Sequence, residues 1–271
     1  MFDFNYQVSS IMQNQEMLNT YSENLKNQFT PGYKAETVQF SDIMNQTMSG
    51  GAQTRHGGIV FSQGQIFKTQ TPTNLAMNGQ GFFMVSDGVK NHYTRDGRFT
   101  WQNGQLCMQD GKRVQGFKLD AQGNISGDLG AIDLSLDPQT KLYAGKYTGF
   151  HFDETGKLYG ESTLTDPVTN QTITTSTPLY QVGVASFANP SALKKTGTTT
   201  FAESEHSGGS VVGVAGQGAL GSVAPGSLEL ANVDFAQQAA AIGMAKQNYE
   251  ANMAAFRAMD KLTQSALGLV R

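Results

Sequence analysis

A chain of 271 residues is long enough for two or three modest domains. Only 15% of its residues are charged, where a typical soluble domain carries about 25%, and 25 threonines and 24 glutamines supply much of the polarity. The net charge of −3 argues against a basic nucleic-acid-binding face. No run of 18 apolar residues suggests a membrane span, and the single cysteine, Cys107, rules out an intrachain disulfide.

Backbone breakers are unevenly placed. All seven prolines lie between Pro31 and Pro225, and 29 of the 31 glycines between Gly32 and Gly226. The chain therefore reads as two breaker-poor ends around a turn-rich middle. The first end predicts a helix, with Phe4, Ile11, Leu18 and Leu25 recurring every seven residues and Val8 and Phe29 extending the stripe. Polar Gln15 and Ser22 interrupt that seam, and Thr30-Pro31-Gly32 ends the helix, because the residue before proline is pushed out of helical geometry.

The middle predicts antiparallel β structure. Gly79-Gln80-Gly81 leads into Phe82-Phe83-Met84-Val85, a short apolar run suited to a buried strand. Asp87-Gly88, Asp96-Gly97, Asn103-Gly104 and Asp110-Gly111 follow, pairs that provide the positive φ of tight hairpins, with Arg98 to Trp101 and Gln105 to Met108 as strands between them. A second, Thr-rich β region covers about 142–201, with a longer loop from Thr163 to Thr177. Residues 207–226 read as a Gly/Ser-rich linker. Beyond it, Asn232 or Asp234 can cap a final helix in which Ile242, Tyr249 and Phe256 again recur at seven, widened by Ala245, Met253, Met259 and Leu267.

The fold class is α+β: long terminal helices pairing as a coiled-coil-like layer, with a central, mainly antiparallel β domain. The helix stripes would pack on each other, on neighbouring copies, or on the sheet. The domain reading is 1–34 for the first helix and its turn, 35–206 for the β domain (variable over about 125–206), 207–226 for the linker and 227–271 for the last helix.

Chemistry finds little footing. His56, His92, His151 and His206 lack metal-ligand spacing and read as surface or loop residues. Gly79-x-Gly81 precedes a strand rather than a helix, so it is no dinucleotide loop. Asp153-Glu154 and Asp166 fit turns as well as a carboxylate pair. No enzyme, cofactor or metal site is expected. A secreted carbohydrate-binding β module or enzyme would rest on Trp101, Tyr143, Tyr147 and Tyr159 alone, aromatics that sheets contain in any case.

The motifs do resemble a family. Asn24-x-x-Asn27 with Thr30-Pro31-Gly32-Tyr33 is similar to the N-terminal signature of bacterial flagellar rod and hook proteins. The central motif includes Gly79, Gly81, Phe82 and Phe83, followed by Tyr93-Thr94-Arg95-Asp96-Gly97. The closing signature lies in Leu228-Glu229-Leu230-Ala231-Asn232-Val233-Asp234 and Tyr249-Glu250-Ala251-Asn252. The distal-rod type of the family fits best, with a hook protein or another rod segment as the alternative. The resemblance implies a structural subunit whose terminal helices assemble with copies of itself into a tubular drive shaft and export channel. It further implies other rod and hook proteins as partners, bushing-ring proteins among possible neighbours, and a place in the periplasmic part of the basal body. Such a subunit is exported through the flagellar secretion apparatus without a cleaved signal. The implied assembly seam is Phe4, Val8, Ile11, Leu18, Leu25, Phe29, Ile242, Tyr249, Met253 and Phe256.

Overall fold

A computed structural model describes residues 4–43, 51–135, 147–165 and 172–269, with side chains over 8–38, 57–135, 147–163 and 173–265. The side chains of Phe4, His56 and Leu267, and residues Tyr143 and Asp166, lie outside the described set. The chain forms two compact units. The helical unit is Met1–Phe29, Lys34–Val60 and Val233–Arg271; the β unit is Thr30–Tyr33 and Phe61–Asn232.

The helical unit holds α1 (Phe4–Lys26), the antiparallel hairpin β1 (Glu36–Ile43) and β2 (Gly51–Ile59), and α2 (Phe235–Leu269). α1 stops at Lys26 rather than continuing to the proline, because Asn27 folds back and its Nδ2 donates to the Glu23 carbonyl at 2.9 Å. α2 starts where expected: the Asp234 carboxylate accepts the Gln237 N–H at 3.1 Å and caps the helix. α1 packs along α2. Asn24 in the last turn of α1 touches Gln238 in the first turn of α2, so the two run antiparallel. At 1.5 Å per residue they measure about 34 and 52 Å, so α2 outreaches α1 by about 18 Å. The β1–β2 hairpin packs on α1 and belongs to this unit, not to the β domain expected over 35–206. A bulge between Glu36 and Val38 falls opposite Gly57, whose missing Cβ would meet the Thr37 carbonyl at 2.6 Å.

In chain order the β unit holds β3 (Ile66–Lys68), β4 (Leu75–Asn78), β5 (Phe82–Ser86), β6 (Asn91–Thr94), β7 (Thr100–Gln102), β8 (Gln105–Cys107), β9 (Arg113–Leu119) and β10 (Ile125–Ala131). β11 (Gly149–Phe152), β12 (Lys157–Thr165), β13 (Thr172–Ser186), β14 (Lys194–Lys195) and β15 (Thr200–Ala202) come next. β16 (Val211–Val214), β17 (Ser222–Pro225) and β18 (Ser227–Glu229) complete it. One antiparallel sheet runs β11-β12-β13-β9-β5-β6-β15-β14, with β10 and β8 on β9, β7 on β8, and β16 on β13. The two expected β regions are thus a single sheet, joined by the 15-residue β13. Pro178 lies in β13 where the register with β12 shifts, a place where its missing N–H is tolerated.

Two expectations need correction. Residues 207–226 are not a linker: β16 pairs with β13 and β17 with β4, while Val214, Ala215 and Val223 are buried. Small uncharged residues there serve close packing rather than mobility. Asp96-Gly97 is no positive-φ hairpin either. Gly88, Gly104 and Gly111 have φ of 97°, 82° and 83°, but Gly97 does not take positive φ. It is glycine because a Cβ would lie 1.5 Å from the Leu75 carbonyl oxygen. The core beneath gathers Leu75, Phe83, Phe99, Leu106, Ile132, Leu158, Val182 and Val184.

Candidate assembly interface

The seam residues occupy the helical unit unevenly. Ile11, Leu18, Leu25, Ile242, Tyr249, Met253 and Phe256 are all partly buried, and Ala245 is fully so. Val8 is exposed, and Phe29, beyond the end of α1, is 81% exposed. A second apolar set faces outward: Met12 on α1, and Phe235, Met244 and Leu262 on α2. Among them the exposed positions Ala236, Ala239, Ala240, Ala251, Ala254, Ala255 and Ala258 leave α2 with a smooth surface of small side chains. Heptad periodicity alone did not single out this outer face, because it tracks the inner stripe. Glu250 and Ala251 of the closing signature are exposed on α2, while Asn252 is partly buried.

Polar groups lock the inner side. Asn24, fully buried, donates from Nδ2 to the Glu36 carbonyl at 2.8 Å and to Gln238 Oε1 at 3.0 Å, while its Oδ1 accepts the Glu36 N–H at 3.0 Å.

The remaining motif residues converge inside the β unit, where they build a clamp rather than a surface. Glu229, fully buried on β18, accepts the Gly64 N–H at 2.8 Å on one carboxylate oxygen and Arg95 Nη1 at 3.4 Å on the other. Its carbonyl accepts the Gly32 N–H at 2.8 Å. Gly32 has φ of 69°, and a Cβ there would lie 2.2 Å from the Asp96 nitrogen, so both conformation and space demand glycine. Arg95 Nη2 donates to the Gly79 carbonyl at 2.9 Å, and the guanidinium lies 5.2 Å from the Phe82 ring centroid. Burial pulls the Arg95 pKa down and the Glu229 carboxylate opposes that shift.

Neighbouring motif residues extend the clamp. Tyr93, buried against Phe187, donates its hydroxyl to Glu203; burial first and that carboxylate second push its pKa up to about 12. Thr94 Oγ1 donates to the Thr199 carbonyl at 2.7 Å and accepts the Asp96 N–H at 3.0 Å. Asp96 also holds Arg98, at 2.7 Å to Nη2. The Lys195 ammonium lies 4.9 Å from the Tyr33 ring centroid. Asn232 Nδ2 donates to the Ser62 hydroxyl at 2.9 Å, and the Leu230 N–H to the Gln65 carbonyl at 2.8 Å. Thr30, Pro31 and Val233 are partly buried, Gly79 is exposed, and Gly81 and Phe83 are buried. Glu229 belongs to the closing signature by sequence, but its pairing with Arg95 was not foreseen. Its signal was present, since it is the lone charge between Glu205 and Asp234.

His92 is buried in β6, not on a surface or loop, with Nε2 3.3 Å from Asp87 and Nδ1 3.2 Å from the Thr196 hydroxyl. Cys107 is buried in β8, and burial raises its thiol pKa.

Two family models match the chain: flagellar hook protein FlgE/F/G D1 domain over residues 76–160, and flagellar basal body rod FlgEFG protein C-terminal over 224–269. These spans contain the Arg95 and Glu229 halves of the clamp. The chain is thus similar to flagellar rod and hook proteins in both its central and its C-terminal part. The flagellar basal-body rod protein FlgG of Bacillus subtilis is 27% identical over 97% of this chain and 97% of its own length. FlgG of Borreliella burgdorferi is 25% identical over 97% and 96%. The flagellar hook protein FlgE of Helicobacter mustelae is 29% identical, over 59% of this chain and 45% of the hook protein.

Proposed function

We propose that this chain is a structural subunit of the flagellar basal-body rod, of the distal-rod type, which polymerises into the axle between motor and hook. The observation that carries the reading is end-to-end alignment with rod proteins, 97% of both chains in the Bacillus case. The hook alternative draws on a match of slightly higher identity, but that match leaves more than half of the hook protein unaligned.

The helical unit supports the same reading. α2 outreaches α1 and carries Met244 and Leu262 outward at 61% and 64% exposure, apolar area that a neighbouring copy would cover. In this reading, copies meet through the terminal helices, and the partly buried seam tightens into a coiled-coil-like layer on assembly. The subunit acts in the periplasmic part of the basal body, reached through the flagellar secretion apparatus without a cleaved signal. Other rod and hook proteins adjoin it along the axle, and bushing-ring proteins surround it. Its work is mechanical rather than catalytic, as befits a family of rod and hook proteins.

The test replaces Ile11 or Phe256 with Asp. Each variant should remain soluble with a folded β unit, lose rod assembly in electron micrographs of purified basal bodies, and abolish motility. Normal rods and swimming in both variants would overturn the seam, and absence of tagged wild-type protein from basal bodies would overturn the assignment itself.

A further inference from the structure

The apolar stripes of the helical unit carry an ambiguity. Ile11, Leu18 and Leu25 repeat every seven residues on α1, and Ile242, Tyr249 and Phe256 repeat every seven on α2. Two stripes of equal period can slide past one another by one repeat and still bury apolar side chains on apolar side chains. Hydrophobic burial is non-directional, so it does not choose between the registers. In a protein whose copies crowd their helices together, a slipped pairing would be a persistent hazard.

We infer that Asn24 is the specificity-determining residue that fixes the α1–α2 register. Three observations carry this. Its carboxamide is fully buried, so leaving it without partners is costly. Both of its ends are engaged at hydrogen-bond distance, by the Glu36 backbone N–H and carbonyl and by Gln238 Oε1. Those partners come from two different elements, β1 and α2, so the side chain ties three segments at one point. A slip of seven residues along α2 would replace Gln238 with Ala245, which has nothing to offer an amide. A slipped register would keep the two Glu36 bonds and remove the Gln238 acceptor from the buried Nδ2, a penalty that favours the native pairing as a single buried polar residue does in specifying helix pairing elsewhere. Asn14, ten residues earlier on α1, instead donates from Nδ2 to the Ser10 carbonyl of its own helix at 2.8 Å.

The test is made on the dilute full-length chain before any polymerisation, so it stands or falls separately from the rod assignment. With buried Cys107 replaced by Ala, spin labels go on the exposed positions Asn19 and Gln247, one on each helix. Distances between them are measured by pulsed electron resonance. The reference protein should show one narrow distance. Asn24→Leu should keep its helical ellipticity and add a second population displaced along the helix by about 10 Å, one heptad at 1.5 Å per residue. A single, unchanged distance in Asn24→Leu overturns the inference. Should that variant lose its helices, Gln238→Leu decides: it retains both Asn24 bonds to Glu36 and removes only the inter-helix one. A second population there supports the register role, and one unchanged distance refutes it.

Discussion

Removing the Glu229 carboxylate is the sharpest perturbation of the β unit. Glu229→Ala leaves the buried guanidinium of Arg95 without its counter-charge and the Gly64 N–H without its acceptor. Breaking a buried ion pair from one side costs about 3–5 kcal/mol, mostly the desolvation of the stranded charge. At 3.4 Å the Arg95–Glu229 contact is a long hydrogen bond, which favours the lower half of that range, but the Gly64 amide adds a buried orphan. The expected loss is therefore about 4 kcal/mol, a shift in melting temperature of about 8–16 °C for a unit of this size. Glu229→Gln keeps an acceptor for Gly64 and should lose about 2–3 kcal/mol. The decisive variant is the double change Arg95→Met with Glu229→Leu. Although it changes two residues instead of one, it strands no charge and should cost less than Glu229→Ala. Urea unfolding followed by the fluorescence of Trp101, the chain's sole tryptophan, packed 5.6 Å from Phe150, reports all three. A cost below about 1 kcal/mol for Glu229→Ala, or a double variant less stable than the single, would refute the clamp as argued.

Three further outcomes are expected. Asp234→Ala removes the α2 cap and should cost about 0.5–2 kcal/mol, read in thermal melts at 222 nm. Gly97→Ala forces a Cβ into the Leu75 carbonyl, so it should destabilise the β unit by about 3 kcal/mol or more, whereas Gly111→Ala, with open space around it, should cost only its positive-φ strain of about 1 kcal/mol. The Tyr93 pKa is raised on folding, so its contribution to stability is fully present below pH 10 and is lost as pH rises through about 12. Stability of the wild type should fall across that window, and Tyr93→Phe should flatten the fall; identical profiles for the two proteins would count against the buried hydroxyl.

Local signals were easy to read from the chain wherever backbone chemistry decides structure. The terminal helices, the Asp234 cap and the hairpin glycines 88, 104 and 111 follow from propensity, capping and φ alone. Packing partners are another matter. Residues 35–60 fell inside the expected β domain by position alone, since no local pattern there showed a hairpin resting on α1. Gly97 and Gly57 are glycine for want of space rather than for φ, a reason invisible without the neighbouring carbonyl. The 207–226 stretch misled because small uncharged residues suit a flexible linker and a tightly packed strand equally well. As for the helices, the period of seven pointed to side chains that are partly buried, such as Ile11, Leu18, Ile242 and Phe256. The outer alanine face of α2 and the partners of Asn24 and Arg95 were not legible, since Gln238 and Glu229 lie 214 and 134 residues away along the chain.

The strands that close the β unit also set a timetable. Leu75 of β4 pairs with Pro225, and Phe67 of β3 with Leu228, each about 150–160 residues further along. Pairings of such high contact order form slowly, after the loop-closure entropy of more than half the chain has been met. A chain emerging from its N-terminus therefore carries β3 and β4 without partners until almost the last 40 residues arrive. Completion of the β unit waits on the same stretch that leads into α2, so β3 and β4 gain their partners only after the main sheet, whose last strand ends at Val214, has all of its strands.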